Sequence, residues 1–416
     1  MPTSLQTLTA VTKEVYEGKL RKQFNDETVL LRRIQRNGGG STITNTVGGK
    51  YVTFPIHVYR NNGLGARREN ENLPVAGNQG TAPVQVRLKY LYGSVGLSGQ
   101  AIRLVDKDFQ SFISAMDLEM NGMKTDLAKD LNRQVYGNAS GQIAVTSTVG
   151  AATTATLTQG INQIQLQELV DVWTPAQLAA DLASPGTGTP KSVANTVTGV
   201  NTTAGTITVG TSVTFAAGDI ITRYGSANRE WTGLEAIVQD SGILYNVDPA
   251  TYPVWKAVED TGTPEGTLRP LSESAMIRNV HAVRTNGGKT SLLLSSLGVQ
   301  RAYWNLLVQA RRFSNVKEFA GGYSGLSFTT DQGEIPMVAD VDCPYNRIYG
   351  LSEENIRLYR DADWDWMDMD GSMWDRVPGT VAGTIKDAYS ATMFQYSELG
   401  TDRRNAHFVM RDITES

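Results

Sequence analysis

The sequence predicts a mixed α+β fold, and three features predict it. A long helical period of apolar residues follows residue 106; two strand-like alternations flanking an over-long polar connection precede it; helix and strand signals then alternate through the second half of the chain.

The 416 residues, 40% hydrophobic and 19% charged, form a globular composition long enough for two or three domains. A formal charge of -4 argues against a dedicated nucleic-acid binder, because duplex affinity rests on neutralising phosphates with Lys and Arg. The single cysteine, Cys343, excludes an intrachain disulfide framework and reads as a buried thiol. The start, Met1 to Leu5, lacks the basic and apolar regions of a secretory signal, and no run is apolar enough to span a membrane. Folding in a cytoplasm is the expectation.

Residues 1–45 read as an arm with a helical stretch, its apolar positions including Val15, Leu20, Phe24, Val29, Leu30, Leu31 and Ile34. Arg32, Arg33 and Arg36 sit at its end, where Asn37 to Gly40 can stop a helix, and are candidate contacts to another subunit. Within 46–100, Val52, Phe54, Ile56 and Val58 alternate with polar neighbours, Pro55 marking an edge strand. A matching alternation at Val84, Val86, Leu88, Tyr90 and Tyr92 makes an antiparallel ribbon. The connection from Arg60 to Pro83 is too long for a hairpin turn and has little to make a core, so it belongs outside the subunit. Its tip concentrates Arg67, Arg68, Glu69 and Glu71 beside Leu73, a docking surface of mixed charge.

Over 101–140, Phe109, Phe112, Ile113, Met116, Met120, Met123, Leu127, Leu131 and Val135 step by three and four. A helix from about 106 to 136 follows, capped by Asp106 or Asp108 and ended by Gly137: a spine about 45 Å long at 1.5 Å per residue. Residues 141–226 turn rich in Thr, Gly, Ala and Val. Strands are expected at 197–200, 206–209 and 220–222, with a helix-like interval between Ile161 and Asp181 that Pro175 breaks.

Residues 227–355 alternate helix around Trp231 to Val238, helix through Met276, Ile277, Val280 and Val283, strand at 291–294, and a helix carrying Tyr303, Trp304, Leu307 and Val308 that Ser295 or Ser296 caps. Over 356–416, a strand at 356–360 is followed by strands at 388–396 and 406–410, with Glu398 to Thr401 expected as the turn of a hairpin.

No catalytic chemistry is legible. His57, His281 and His407 lie in unrelated segments, too few for a triad or metal site. Asp363, Asp365, Asp368 and Asp370 before Gly371 resemble a calcium loop, but Trp366 and Val377 occupy positions that need oxygen ligands. A solvated acidic turn is the better reading. GxxxxGK[ST] and GxSxG are absent, so no enzyme class, cofactor or metal is expected.

The order of arm, extended charged-tip loop, spine helix and mixed domain resembles the Hong Kong 97-type major capsid proteins of tailed double-stranded DNA bacteriophages. Shorter segments add to it: Glu69 to Pro74, Ala217 to Ile220, Phe319 to Tyr323 with Ile335 to Asp340, Trp366-Met367 with Asp370-Gly371, then Ala388-Tyr389 and Tyr396. The resemblance implies a peripheral domain made from the spine helix and the 356–416 strands, an axial domain at 227–355 and a β-rich insertion at 141–226. It also implies a structural protein of the virion, assembled in a bacterial cytoplasm into pentamers and hexamers of an icosahedral head that encloses DNA without reading its sequence, with the spine helix shifting as the shell matures.

Further partners implied are a portal protein, a decoration protein and, since the arm begins within the first few residues, a separate scaffolding protein. The tip carries no lysine, so no lysine-to-asparagine crosslink is expected. An encapsulin-type compartment shares the implied fold. A β-rich adhesin or carbohydrate-active enzyme is the alternative from another class.

Overall fold

The computed structural model describes residues 28–36, 51–100, 109–184, 186–309, 317–318, 324–331, 333–361, 364–368, 371–372, 374–379 and 384–415, with the backbone alone for 35–36, 109–118, 308–309, 317–318 and 324–325. The expectations for Val15, Leu20, Phe24, Asp106, Asp108, Phe319 to Tyr323, Asp363 and Asp370 lie outside the described residues.

The first described helix, α1 (Val29–Arg36), packs into the core. Val29, Leu30, Leu31 and Ile34 fall on one face, which needs cover, and all four are buried. Strands β1 (Tyr51–Tyr59) and β2 (Gly80–Arg87) form a two-stranded antiparallel ribbon. Its register sets Pro55 opposite Pro83. Neither has an N–H to exchange, so this is a pair without cross-strand bonds, and it leaves the outward edge of β1 one donor short. The same alternation turns the N–H of Gln85 outward, where it donates to the Tyr245 carbonyl at 3.0 Å.

The expected second ribbon strand divides at Leu88. Up to Arg87 it pairs with β1; from Lys89 the chain is β3 (Lys89–Ser98), whose partner is a late strand, so Tyr90 and Tyr92 belong to a different sheet. The spine helix α2 (Phe109–Val135) follows, 27 residues and about 40 Å long. It lies on β3 at Gly93, where a Cβ would come within 2.8 Å of Met123 Sδ and 2.9 Å of Leu127 Cδ1.

Next come β4 (Gln142–Thr146), β5 (Gly150–Gln159), β6 (Leu169–Trp173), helix α3 (Pro175–Ala183), β7 (Ser192–Asn201), β8 (Thr206–Phe215) and β9 (Ile220–Arg223). The strands close into a barrel in the order β4-β5-β8-β7-β6-β9 around its own core, including Ile143, Leu157, Val170, Val172, Ile207 and Phe215. The helix-like interval expected at 161–181 is divided between a strand and a helix. Leu169 to Trp173 form a strand, and Pro175 begins a helix instead of breaking one: it occupies the first turn, where its missing N–H costs nothing, behind a capping box of Thr174 and Gln177.

The remaining chain builds two sheets. Its elements are α4 (Leu234–Ile237), β10 (Val258–Asp260), α5 (Glu273–Thr285), β11 (Leu292–Ser295), α6 (Leu297–Gln309), β12 (Lys317–Glu318), β13 (Ser324–Thr330), β14 (Gly333–Ala339), β15 (Ile348–Leu351), β16 (Ile356–Arg360), β17 (Asp365–Trp366), β18 (Asp375–Pro378), β19 (Ile385–Thr401) and β20 (Phe408–Met410). One sheet has the order β10-β20-β15-β11-β14-β13-β12; in the other, β19 pairs with β3, β16, β17 and β18.

The expected hairpin at 398–401 does not form. Those residues continue β19 against β16, and β20 joins the other sheet, between β10 and β15. Gly400 is there for a side chain, not a turn: a Cβ would stand 2.5 Å from the Tyr359 ring that lies on it. One core runs from α1 and the ribbon through Leu131 and Val135 to Leu292, Leu294, Val409 and Leu399, joining the spine to both sheets. No described helix is long and apolar enough to cross a membrane.

Candidate assembly surfaces

The ribbon carries its inward side chains, Val52, Ala82, Val84 and Val86, on the core face, and Thr53, Pro55, His57, Thr81, Pro83 and Arg87 on the other. Past Tyr59 the chain leaves that support. The tip is nevertheless shaped by its own backbone. Asn61 Nδ2 donates to the Gly77 carbonyl at 2.8 Å and Asn61 Oδ1 accepts from Gly63 N at 2.6 Å, closing the base of the loop. A Cβ on Gly77 would meet Asn61 Oδ1 at 2.4 Å, which is why two glycines face each other there.

Arg67 and Arg68 differ in what they can do. The Arg67 guanidinium donates to the carbonyls of Asn72, at 3.0 Å, and Ala66, so it holds the tip together. The backbone N–H of Arg68 donates to the Glu71 carboxylate at 3.0 Å, and Asn70 supports that turn at a positive φ of 64°. The side chains of Arg68 and Glu69 are exposed, with no hydrogen-bond or ion-pair partner among the described residues. Leu64, Leu73 and Val75 are 85%, 83% and 87% exposed.

Of the arginines on α1, Arg32 is exposed, while Arg33 reaches Glu353 of the same chain at 2.8 Å. The side chain of Arg36 lies outside the described residues, as do those of Phe109, Phe112, Ile113 and Met116 on the spine. Met120, Met123 and Leu127 are half-buried, and Leu131 and Val135 are buried.

Polar residues that sequence reasoning passed over fasten the C-terminal half of the spine on two sides. On one side, Lys129 Nζ donates to Asp342 at 2.8 Å, Asn132 Nδ2 to Asp342 at 2.6 Å, and the Tyr136 hydroxyl to Asp340 at 2.9 Å. Burial, aided by the neighbouring Asp342 charge, raises the Asp340 pKa despite these donors. On the other side, Asp130 accepts from Arg133 at 3.0 Å and forms an ion pair with the barrel's Arg223 at 2.7 Å, Arg223 also pairs with Glu168 at 2.6 Å, and Arg133 pairs with Glu230 at 2.6 Å. Burial raises Glu230, whereas for Asp130 the two guanidinium groups outweigh burial and lower its pKa. The i, i+3 and i+7 spacing of 129, 132 and 136 was the available signal.

Buried ionisable groups elsewhere are satisfied by structure. Arg404 donates to four carbonyls, those of Ala236, Ile237, Ser241 and Gly242, at the end of α4. Burial drives His407 down to about 3; its Nδ1 accepts from Ser352 N, so Nε2 carries the proton toward Thr401 Oγ1. Cys343 is buried, and burial pushes its thiol up. Among the described residues no cluster of His, Cys, Asp or Glu could hold a metal.

The sequence model described as SU10 major capsid protein matches residues 3–414 of the chain. Among solved structures, the chain resembles the capsid asymmetric unit of cyanophage A-1(L), with a TM-score of 0.61 at 14% identity, over 99% of this chain and 100% of that one. It also aligns with a chain from Mycobacterium phage Bobi (TM-score 0.46, 11% identity, 100% of both chains) and with the SrpI encapsulin of Synechococcus elongatus PCC 7942 (TM-score 0.46, 8% identity, 99% of this chain and 96% of that one). The cyanophage likeness shows the mixed α+β fold of a phage capsid chain. No curated protein matches the sequence.

Proposed function

The chain belongs to the SU10 major capsid protein family, and from that premise we propose that it closes an icosahedral shell by laying its ribbon tip on a neighbouring copy. As a member of that family it is a structural component of the phage capsid shell, not an enzyme, and its copies assemble with one another. In our reading the fold is of the Hong Kong 97 type. The spine and the β19 sheet form a peripheral domain, 227–355 most of an axial domain completed by β20, and the barrel an insertion. Pentamers and hexamers then enclose double-stranded DNA, with scaffolding, portal and decoration proteins as partners.

The observation that carries this reading is the exposure of Leu64, Leu73 and Val75 at the end of a ribbon whose own inward face is spent on the core. Covering each against another surface stabilises by about 2 kcal/mol. Repeated over a closed lattice, contacts of that size hold a shell without any single tight site. Arg68 and Glu69 add charge of both signs, which selects orientation more than strength. The test is electron microscopy of the full chain beside a variant in which 64–75 are replaced by a short Gly-containing turn, leaving the Asn61–Gly77 base intact. The variant should fold and fail to close regular shells; closed shells of normal size from it would reject the tip as the contact.

A further inference from the structure

The barrel is joined to the rest of the subunit by two connectors, 136–141 and 224–233, and has its own core, so in principle it could swivel. The geometry of its neck says otherwise. Glu168, one residue before β6, and Arg223, ending β9, meet Asp130 and Arg133 of the spine and Glu230 of the return connector in one alternating chain: Glu168–Arg223–Asp130–Arg133–Glu230. Every link is 3.0 Å or shorter. Asp130 also accepts from Gln134 Nε2 at 2.7 Å, and Gln134 Oε1 in turn accepts from Trp231 N.

Backbone contacts run alongside. Asn228 N donates to the Ser140 carbonyl at 3.0 Å, tying one connector to the other, and the Asn228 side chain donates to Leu178 and Asp181 of α3. Gly233 packs so closely on the end of the spine that a Cβ would lie 2.4 Å from the carbonyl oxygens of both Gln134 and Val135. The neck is therefore built without slack at its core side. On its barrel side Arg223, itself about a third exposed, joins a barrel carboxylate, Glu168, to a spine carboxylate, Asp130, and among the described residues no other cation does so; farther out, Asn162 Nδ2 reaches the Tyr345 hydroxyl at 3.5 Å.

We propose that Arg223 locks the inserted barrel to the C-terminal end of the spine helix, so that barrel and spine turn as one body and any reorientation of the spine is delivered to the barrel's outer surface. The lock lies within one subunit and does not depend on which copies the ribbon tip touches. It needs a guanidinium: one planar group reaches two carboxylates from different units at once, which a lysine ammonium does with less geometric control.

The test compares hydrogen exchange of full-length wild type, Arg223→Gln, Arg223→Lys and Glu168→Gln under the same conditions. With Arg223→Gln, amides of 138–141 and 224–229 should exchange about tenfold faster while β8, inside the barrel, keeps its wild-type protection; Arg223→Lys should recover part of the difference. Glu168→Gln, which leaves the spine untouched, should move the connectors the same way by less, and it keeps the test alive if Arg223→Gln does not fold. Connectors unchanged in both, or connectors and β8 accelerating together, would overturn the lock, the second result meaning that Arg223 only stabilises the barrel.

Discussion

Tyr136, one residue past the end of the spine helix, donates its hydroxyl to the buried carboxylate of Asp340 at 2.9 Å, so the loop after β14 is held directly by the spine. Asn132 and the backbone N–H of Asp342 donate to the same carboxylate. Tyr136→Phe keeps the ring and removes one donor from a group that water cannot reach. A loss of about 1–3 kcal/mol is expected, seen as a lower urea midpoint at unchanged slope. An unchanged midpoint would show that Asp340 does not need this donor.

Glu398 sets a pH dependence. Burial raises its pKa to about 8 from 4.5, against the Lys89 charge and N–H groups of Thr232 and Leu399 that favour the ionised form. The folded pKa lies above the unfolded one, so its contribution to stability is complete below about pH 4.5 and is progressively lost as pH rises through about 8. Glu398→Gln stays neutral and can still accept from Thr232 N. Chemical unfolding between pH 5 and 9 should show a flatter profile for this variant and a relative gain above pH 8. Parallel profiles would contradict the assignment.

Arg404 is fully buried, yet its partners are carbonyl groups rather than carboxylates. Arg404→Ala strips donors from four carbonyls together, at about 1 kcal/mol each for a net hydrogen bond. A subunit destabilised by roughly 3–5 kcal/mol, or one recovered only as aggregate, is the expected outcome. Near-native thermal stability would mean that water replaces the guanidinium.

Much of this was legible where a segment's own period decides its structure. The spine was expected at about 106–136 and runs 109–135, because an apolar stripe of that length has one way to be buried. The strands expected at 197–200 and 206–209 around a Gly-containing turn lie within the longer strands 192–201 and 206–215. What failed depended on partners distant in the chain. Leu88 continues an unbroken alternation, and only β19 reveals that the strand changes sheets there. Gly400 looked like a turn residue because the Tyr359 ring that demands it comes from β16. Arg33 read as a contact to another subunit because Glu353, with which it pairs, is 320 residues away. The tip was legible as an exposed charged loop, but the division of labour between Arg67 and Arg68 required the loop's own carbonyls in place.

That division changes which substitution tests the tip. Arg67→Glu would disturb the loop itself, whereas Arg68→Glu alters an exposed charge alone. Shell formation by Arg68→Glu should be impaired at low ionic strength and approach wild type near 1 M salt, where the Debye length falls to about 3 Å. Light scattering of assembly across a salt series checks it; equal impairment at every salt concentration would point to packing instead of charge.

A cryo-electron-microscopy map of shells assembled from the full chain shows directly what the tip touches. The tip of each copy should be seated on a second copy, with Leu64, Leu73 and Val75 covered and Asn61 still closing the loop base against Gly77. Closed shells in which those three side chains remain in solvent would contradict it.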